Sequence, residues 1–102
     1  MVYCIAEFQA KSGRENELFE VLKSLEEKTC KEKGCIQYIV MKKIKNEFAK
    51  GKSKGIIFNE IWETAEDFNA HNKASHIEEF FQKHCLNKNG SANSWNINLF
   101  EK

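Results

Sequence analysis

The chain has 102 residues, enough to bury a core of its own, and is expected to form a single domain spanning residues 1–102. Hydrophobic residues make up 41% and charged residues 30%, the balance of a soluble globular protein rather than a disordered one. Lys plus Arg number 16 against 15 for Asp plus Glu, which excludes a bulk field drawing the protein to nucleic acid or to an acidic membrane.

The start, M-V-Y-C-I-A-E-F, has no positive leading segment and no small-residue cleavage site, so it reads as a strand and not as a signal peptide. No apolar run has the length needed to cross a bilayer. Cys4, Cys30, Cys35 and Cys85 include no C-x-x-C pair, and free, mostly buried thiols in a reducing compartment are the expectation. A zinc site from Cys30, Cys35 and a histidine would lack any ligand-spacing motif, so no metal is expected. The expected address is the cytoplasm.

Val2 to Phe8 is the first predicted strand, rich in β-branched and aromatic residues. Ser12-Gly13-Arg14-Glu15 has the form of a capping box, in which hydroxyl and carboxylate satisfy free amides at a helix start. Leu18, Val21, Leu22 and Leu25 then define one buried helical stripe, with Glu20, Lys23, Glu26 and Glu27 on the solvated side. Gly34 suits the end of that helix. Cys35 to Met41 and Gly55 to Glu63 are the second and third strands. Between them, residues 42–54 carry six lysines and read as an exposed hairpin loop, since only Phe48 could serve as an aromatic platform for a nucleic acid.

Thr64-x-x-Asp67 and Ser75-x-x-Glu78 repeat the capping pattern, which predicts two helical pieces with a break near Asn72 to Ala74. Phe68 packs from the first piece; Ile77, Phe80 and Phe81 are the stripe of the second. Asn87 to Ser94 is a loop by composition. Trp95 to Phe100 alternates cleanly as a last strand, with Trp95, Ile97 and Leu99 on one face.

The order β-α-β-β-α-β predicts an α+β, ferredoxin-like fold: a four-stranded antiparallel sheet with the first and third strands in its centre. The strands are apolar on both faces, and helices can cover only one. The second face is therefore expected to pack against a partner sheet in a homodimer.

The segment Glu60 to Phe81, E-I-W-E-T-A-E-D-F-N-A-H-N-K-A-S-H-I-E-E-F-F, concentrates titratable and aromatic groups at one strand-to-helix junction. Together with A-E-F-Q-A-K-S-G-R-E-N-E-L and K-G-C-I-Q-Y, it resembles the antibiotic biosynthesis monooxygenase (ABM) family of dimeric α+β barrel domains. Where that family usually carries a proline before the second histidine, this chain has Ser75. The resemblance implies an oxygenase needing neither metal nor flavin, with a small aromatic quinol, phenol or anthrone bound between sheet and helices.

Such chemistry asks for a base, a donor for an oxyanion and a dry cavity. His71 or His76 has the intrinsic pKa for a base near neutrality. Phe58, Asn59 and Trp62 are candidate substrate contacts, Asn59 through its amide and Trp62 as an aromatic wall with an indole donor. On a regular strand Asn59 and Trp62 face opposite sides; Trp62 shares its face with Phe58 and Glu60, and the sequence leaves open which face the helices cover. Glu60 reads as a structural acid, hydrogen-bonded at the dimer seam. His84 reads as a terminal or surface residue. His71 and His76, five apart, do not have the one-turn spacing of a metal pair. Two other functions fit the same scaffold: a dimeric small-ligand-binding protein without chemistry, and a haem-degrading monooxygenase.

Overall fold

A computed structural model describes residues 1–102. Strands β1 (Val2–Ala10), β2 (Cys35–Lys42), β3 (Ile56–Trp62) and β4 (Ala92–Phe100) form one antiparallel sheet in the order β2-β3-β1-β4. The first and third strands are central, as the crossover rule requires. Helices α1 (Glu15–Lys23), α2 (Glu26–Cys30), α3 (Ala65–Asn72) and α4 (Ser75–Phe80) connect them, and a π-helical turn, Phe81–Leu86, continues α4.

Strand alternation shows which face the helices cover. On β3, Ile56, Phe58, Glu60 and Trp62 are buried, while Ile57, Asn59 and Ile61 are only half-buried. By register, Cys4, Ala6 and Phe8 of β1 share the covered face with Trp62's set, and Leu18, Leu22, Ile77 and Phe80 pack onto it from the helices. Trp95, Ile97 and Leu99 of β4 point to that side too, but the helices reach only as far as Trp95, so Ile97 and Leu99 stay partly exposed. The other face carries Ile5, Ile39, Met41, Ile57, Ile61 and Phe100 with nothing over it in the single chain; Ile39 is 44% and Phe100 55% exposed.

Four local expectations are corrected. Ser12 caps nothing: Gly13 turns at φ +81, the helix starts two residues later, and Glu15 reaches back to the Gly13 amide at 3.3 Å. The long predicted helix is broken at Ser24–Leu25, where the Ser24 hydroxyl donates to the Val21 carbonyl at 2.5 Å. This break turns Glu26 inward from its expected solvated side, and its carboxylate accepts the Val40 amide at 2.9 Å, covering part of the β2 edge. At the third predicted cap, Ala74 is the extended residue and Ser75 already lies in the helix, without a side-chain cap. Thr64 does cap α3, its hydroxyl accepting the Asp67 amide at 3.0 Å. β4 starts at Ala92, three residues ahead of the expected Trp95, because Ser94 and Ala92 pair with Gln9 and Ala10 across a register shift.

Candidate functional site

A pocket lies between the covered face of the sheet and helices α1, α3 and α4. Ala6 and Phe8 of β1, Tyr38 of β2, Phe58 and Glu60 of β3, Phe68, His71 and Asn72 of α3, and Ile77, Phe80 and Phe81 line it. Its free space is about 20 Å³, room for roughly one water and not for an aromatic ring without displacement of side chains.

His71 comes from the last turn of α3 and is 4% exposed. Its ring is tilted over the Trp62 indole, centroids 4.7 Å apart, and stands edge-on to Tyr38 at 5.2 Å. Tyr38 in turn stacks on Phe58 at 4.3 Å. Burial, then the neighbouring His76, pushes the His71 pKa down to about 4, so its imidazole is neutral near pH 7. Its Nδ1 lies 3.1 and 3.2 Å from the two carboxylate oxygens of Glu32.

His76 does not reach the pocket. Its Nε2 lies on the outer side of the same carboxylate, 3.1 Å from Glu32 Oε2 and 3.0 Å from the Thr29 hydroxyl, facing a surface cleft that also includes Lys28 and Glu79. Burial raises the Glu32 pKa, with His76 pulling the other way.

Trp62 is fully buried and stands behind His71 and Tyr38 instead of lining the free space. Its indole Nε1 donates to Glu60 Oε1 at 2.9 Å. Glu60 therefore sits under the helices and not at the expected seam between sheets. Burial pushes its carboxyl up to about 7, against hydrogen bonds from Trp62 and Cys4 that favour the anion. Burial likewise raises the Tyr38 phenol well above its ordinary value.

Of the five candidate residues, the structure brings Phe58, Trp62 and His71 together. It leaves His76 outside the pocket and Asn59 on the opposite face of the sheet, where its carbonyl accepts from the Gln37 amide at 3.1 Å. Strand alternation forces the separation of Asn59 from Trp62. His84 stacks on Phe80 and its Nδ1 lies 3.2 Å from the Ser91 hydroxyl, a partly buried contact rather than a free surface position. No three His, Cys, Asp or Glu side chains converge in a manner that could hold a metal ion.

Tyr38 and Glu32 are not among the residues that the sequence singles out. Tyr38 could have been found, because it is in phase with Val40 on the face of β2 that meets Phe58 across β3. Glu32 gave no signal: in K-E-K-G it looks like any solvated turn residue.

The sequence profile of the antibiotic biosynthesis monooxygenase family matches residues 1–83, which hold every residue lining this pocket except Ile97 of β4. The chain belongs to that family. Solved structures agree with the ABM fold. A conserved protein from Methanosarcina mazei Go1 is 27% identical, with 99% of this chain and 91% of that one aligned at a TM-score of 0.78. A Pseudomonas aeruginosa protein aligns over 99% and 92% at 19% identity and a TM-score of 0.79. One from Shewanella oneidensis aligns over 97% and 87% at 23% identity and a TM-score of 0.79; the last two likenesses speak for the fold alone. A comparison with curated proteins finds no match. No helix of this ABM protein is long and apolar enough to cross a membrane.

Proposed function

We propose that this protein is a cofactor-independent monooxygenase that oxidises a small aromatic quinol or phenol with dioxygen, using His71 as the base. The observation that carries the proposal is a neutral, almost wholly buried imidazole at the wall of an aromatic pocket in an ABM chain. Removing the hydroxyl proton gives an anion reducing enough to pass an electron to dioxygen. The two radicals combine as a peroxide on the ring, and loss of water leaves the oxidised product. For a hydroquinone the balance is one quinol and one dioxygen giving one hydroxyquinone and one water. The protein supplies the base, the aromatic wall and exclusion of bulk water.

Phe58 and Tyr38 are the ring contacts in this proposal, with Trp62 holding Tyr38 and His71 from behind. Since the free space is about 20 Å³, substrate enters by displacing the phenylalanines of α4 and the following turn. The single domain works as a homodimer, the apolar outer face of the sheet packing on its counterpart, in the cytoplasm where its four thiols stay reduced. Asn59, on that face, then belongs to the subunit interface.

Isotope labelling tests the reaction. With ¹⁸O₂ and a hydroquinone, the product is expected to carry one labelled oxygen, the other appearing in water. Binding of the quinol with no label in the product, for every quinol tried, would instead support a ligand-binding protein without chemistry.

A further inference from the structure

We infer that Glu32 is the positioning residue of this pocket: its carboxylate keeps the single proton of neutral His71 on Nδ1 and thereby presents the Nε2 lone pair to the cavity. Both carboxylate oxygens lie at hydrogen-bond distance from Nδ1, at 3.1 and 3.2 Å. A carboxylate can only accept, so the shared proton belongs to the ring nitrogen, and a neutral imidazole has no second proton to place on Nε2. Nε2 makes no hydrogen bond of its own. No buried side-chain nitrogen or oxygen in the molecule lacks a partner, so Nε2 is not sealed off from open space, and His71 is one of the residues that line the pocket.

Glu32 is held for the task from two directions. His76 Nε2 contacts the same carboxylate at 3.1 Å, which gives the second histidine of the junction a role behind the pocket. The turn that carries Glu32 is pinned by Gly34, whose carbonyl accepts the Glu63 amide at 2.9 Å and whose Cα is packed so closely on the Asp67 side chain that a Cβ would collide with it. The turn after α2, the end of α3 and the start of α4 thus meet at one carboxylate.

The catalytic consequence rests on His71 being the base; the tautomer does not. Long-range ¹H–¹⁵N correlation spectra of the full protein with ¹⁵N-labelled histidine, recorded at pH 7, read the tautomer without any substrate. The expected result is a His71 with Nδ1 protonated and Nε2 bare. A protonated Nε2, or an imidazolium, would overturn the inference without need of a variant. In Glu32→Leu the preference for Nδ1–H is expected to be lost, and an unchanged His71 pattern would also overturn it. With an active quinol, Glu32→Leu is expected to lower kcat by about ten- to a hundredfold while KM moves less than about twofold, a split that loss of packing would not give. The Nδ1–H form together with no oxygen uptake on any quinol would support the inference and contradict the monooxygenase proposal, so the two fail separately.

Discussion

The indole Nε1 of Trp62 donates to Glu60 Oε1 at 2.9 Å, and both side chains are buried beneath the helices. The pair stands two residues apart on β3, so strand geometry alone puts them on one face. The indole is thus a structural donor to a buried acid first and an aromatic surface second. Trp62→Phe keeps most of the ring area but removes the donor. It is expected to cost about 1–3 kcal/mol in a urea denaturation series at neutral pH, and less at pH 5, where the acid is protonated.

Glu60 and His71 should tilt the pH dependence of stability in opposite directions. The carboxyl is raised from 4.5 to about 7 in the folded state, so its folded form binds more protons between those values. Its contribution is complete below the unfolded pKa and is lost as pH rises through about 7. The imidazole is lowered from 6.5 to about 4, so its contribution is complete above pH 6.5 and is lost as pH falls toward 4. Each is worth up to about 3 kcal/mol over its window. Glu32, also raised by burial, adds to the Glu60 side. Removing either group unmasks the contribution of the other. Between pH 4.5 and 6.5, Glu60→Gln is expected to gain stability with rising pH relative to the wild type, and His71→Gln to lose it. Parallel curves for the two variants would count against both shifts.

The sheet was legible because alternation and turn residues specify strands locally: Val2–Phe8, Cys35–Met41 and Gly55–Glu63 fall within two residues of the observed ends. Both sheet faces are apolar, so nothing local could tell that Trp62 lies beneath the helices and Asn59 on the opposite face; that depends on where α1 and α4 pack. The caps at Ser12 and Ser75 misled for a related reason. A capping pattern states that a helix can begin, while Gly13 and Ala74 decide where it does. Glu32 was hidden because its partners are 39 and 44 residues away and only the closed fold brings them to it.

Gly34 is a sensitive position. Its φ of +80 disfavours any side chain, and the Asp67 carboxylate occupies the place of a Cβ. Gly34→Ala is expected to cost about 2 kcal/mol or more, read as a lower thermal midpoint. Gly51, with no neighbour around its Cβ position, is the control: Gly51→Ala should change the midpoint little.

The outer face of the sheet should set the oligomeric state. Ile39 is 44% exposed there and is paired in register with Asn59. The wild type is expected to sediment as a dimer at micromolar concentration, and Ile39→Glu as a monomer with unchanged secondary structure by circular dichroism. A wild-type monomer would remove the dimer from the proposal.

Oxygen consumption under a saturating hydroquinone, wild type against His71→Gln, tests whether His71 is the base of a quinol oxidation. The expected result is quinol-dependent uptake by the wild type that falls by about 10² to 10⁴ in kcat in the variant, with ligand binding retained. Equal uptake by the two proteins would contradict His71 as the base, and uptake by neither above the protein-free rate would contradict the monooxygenase reading itself.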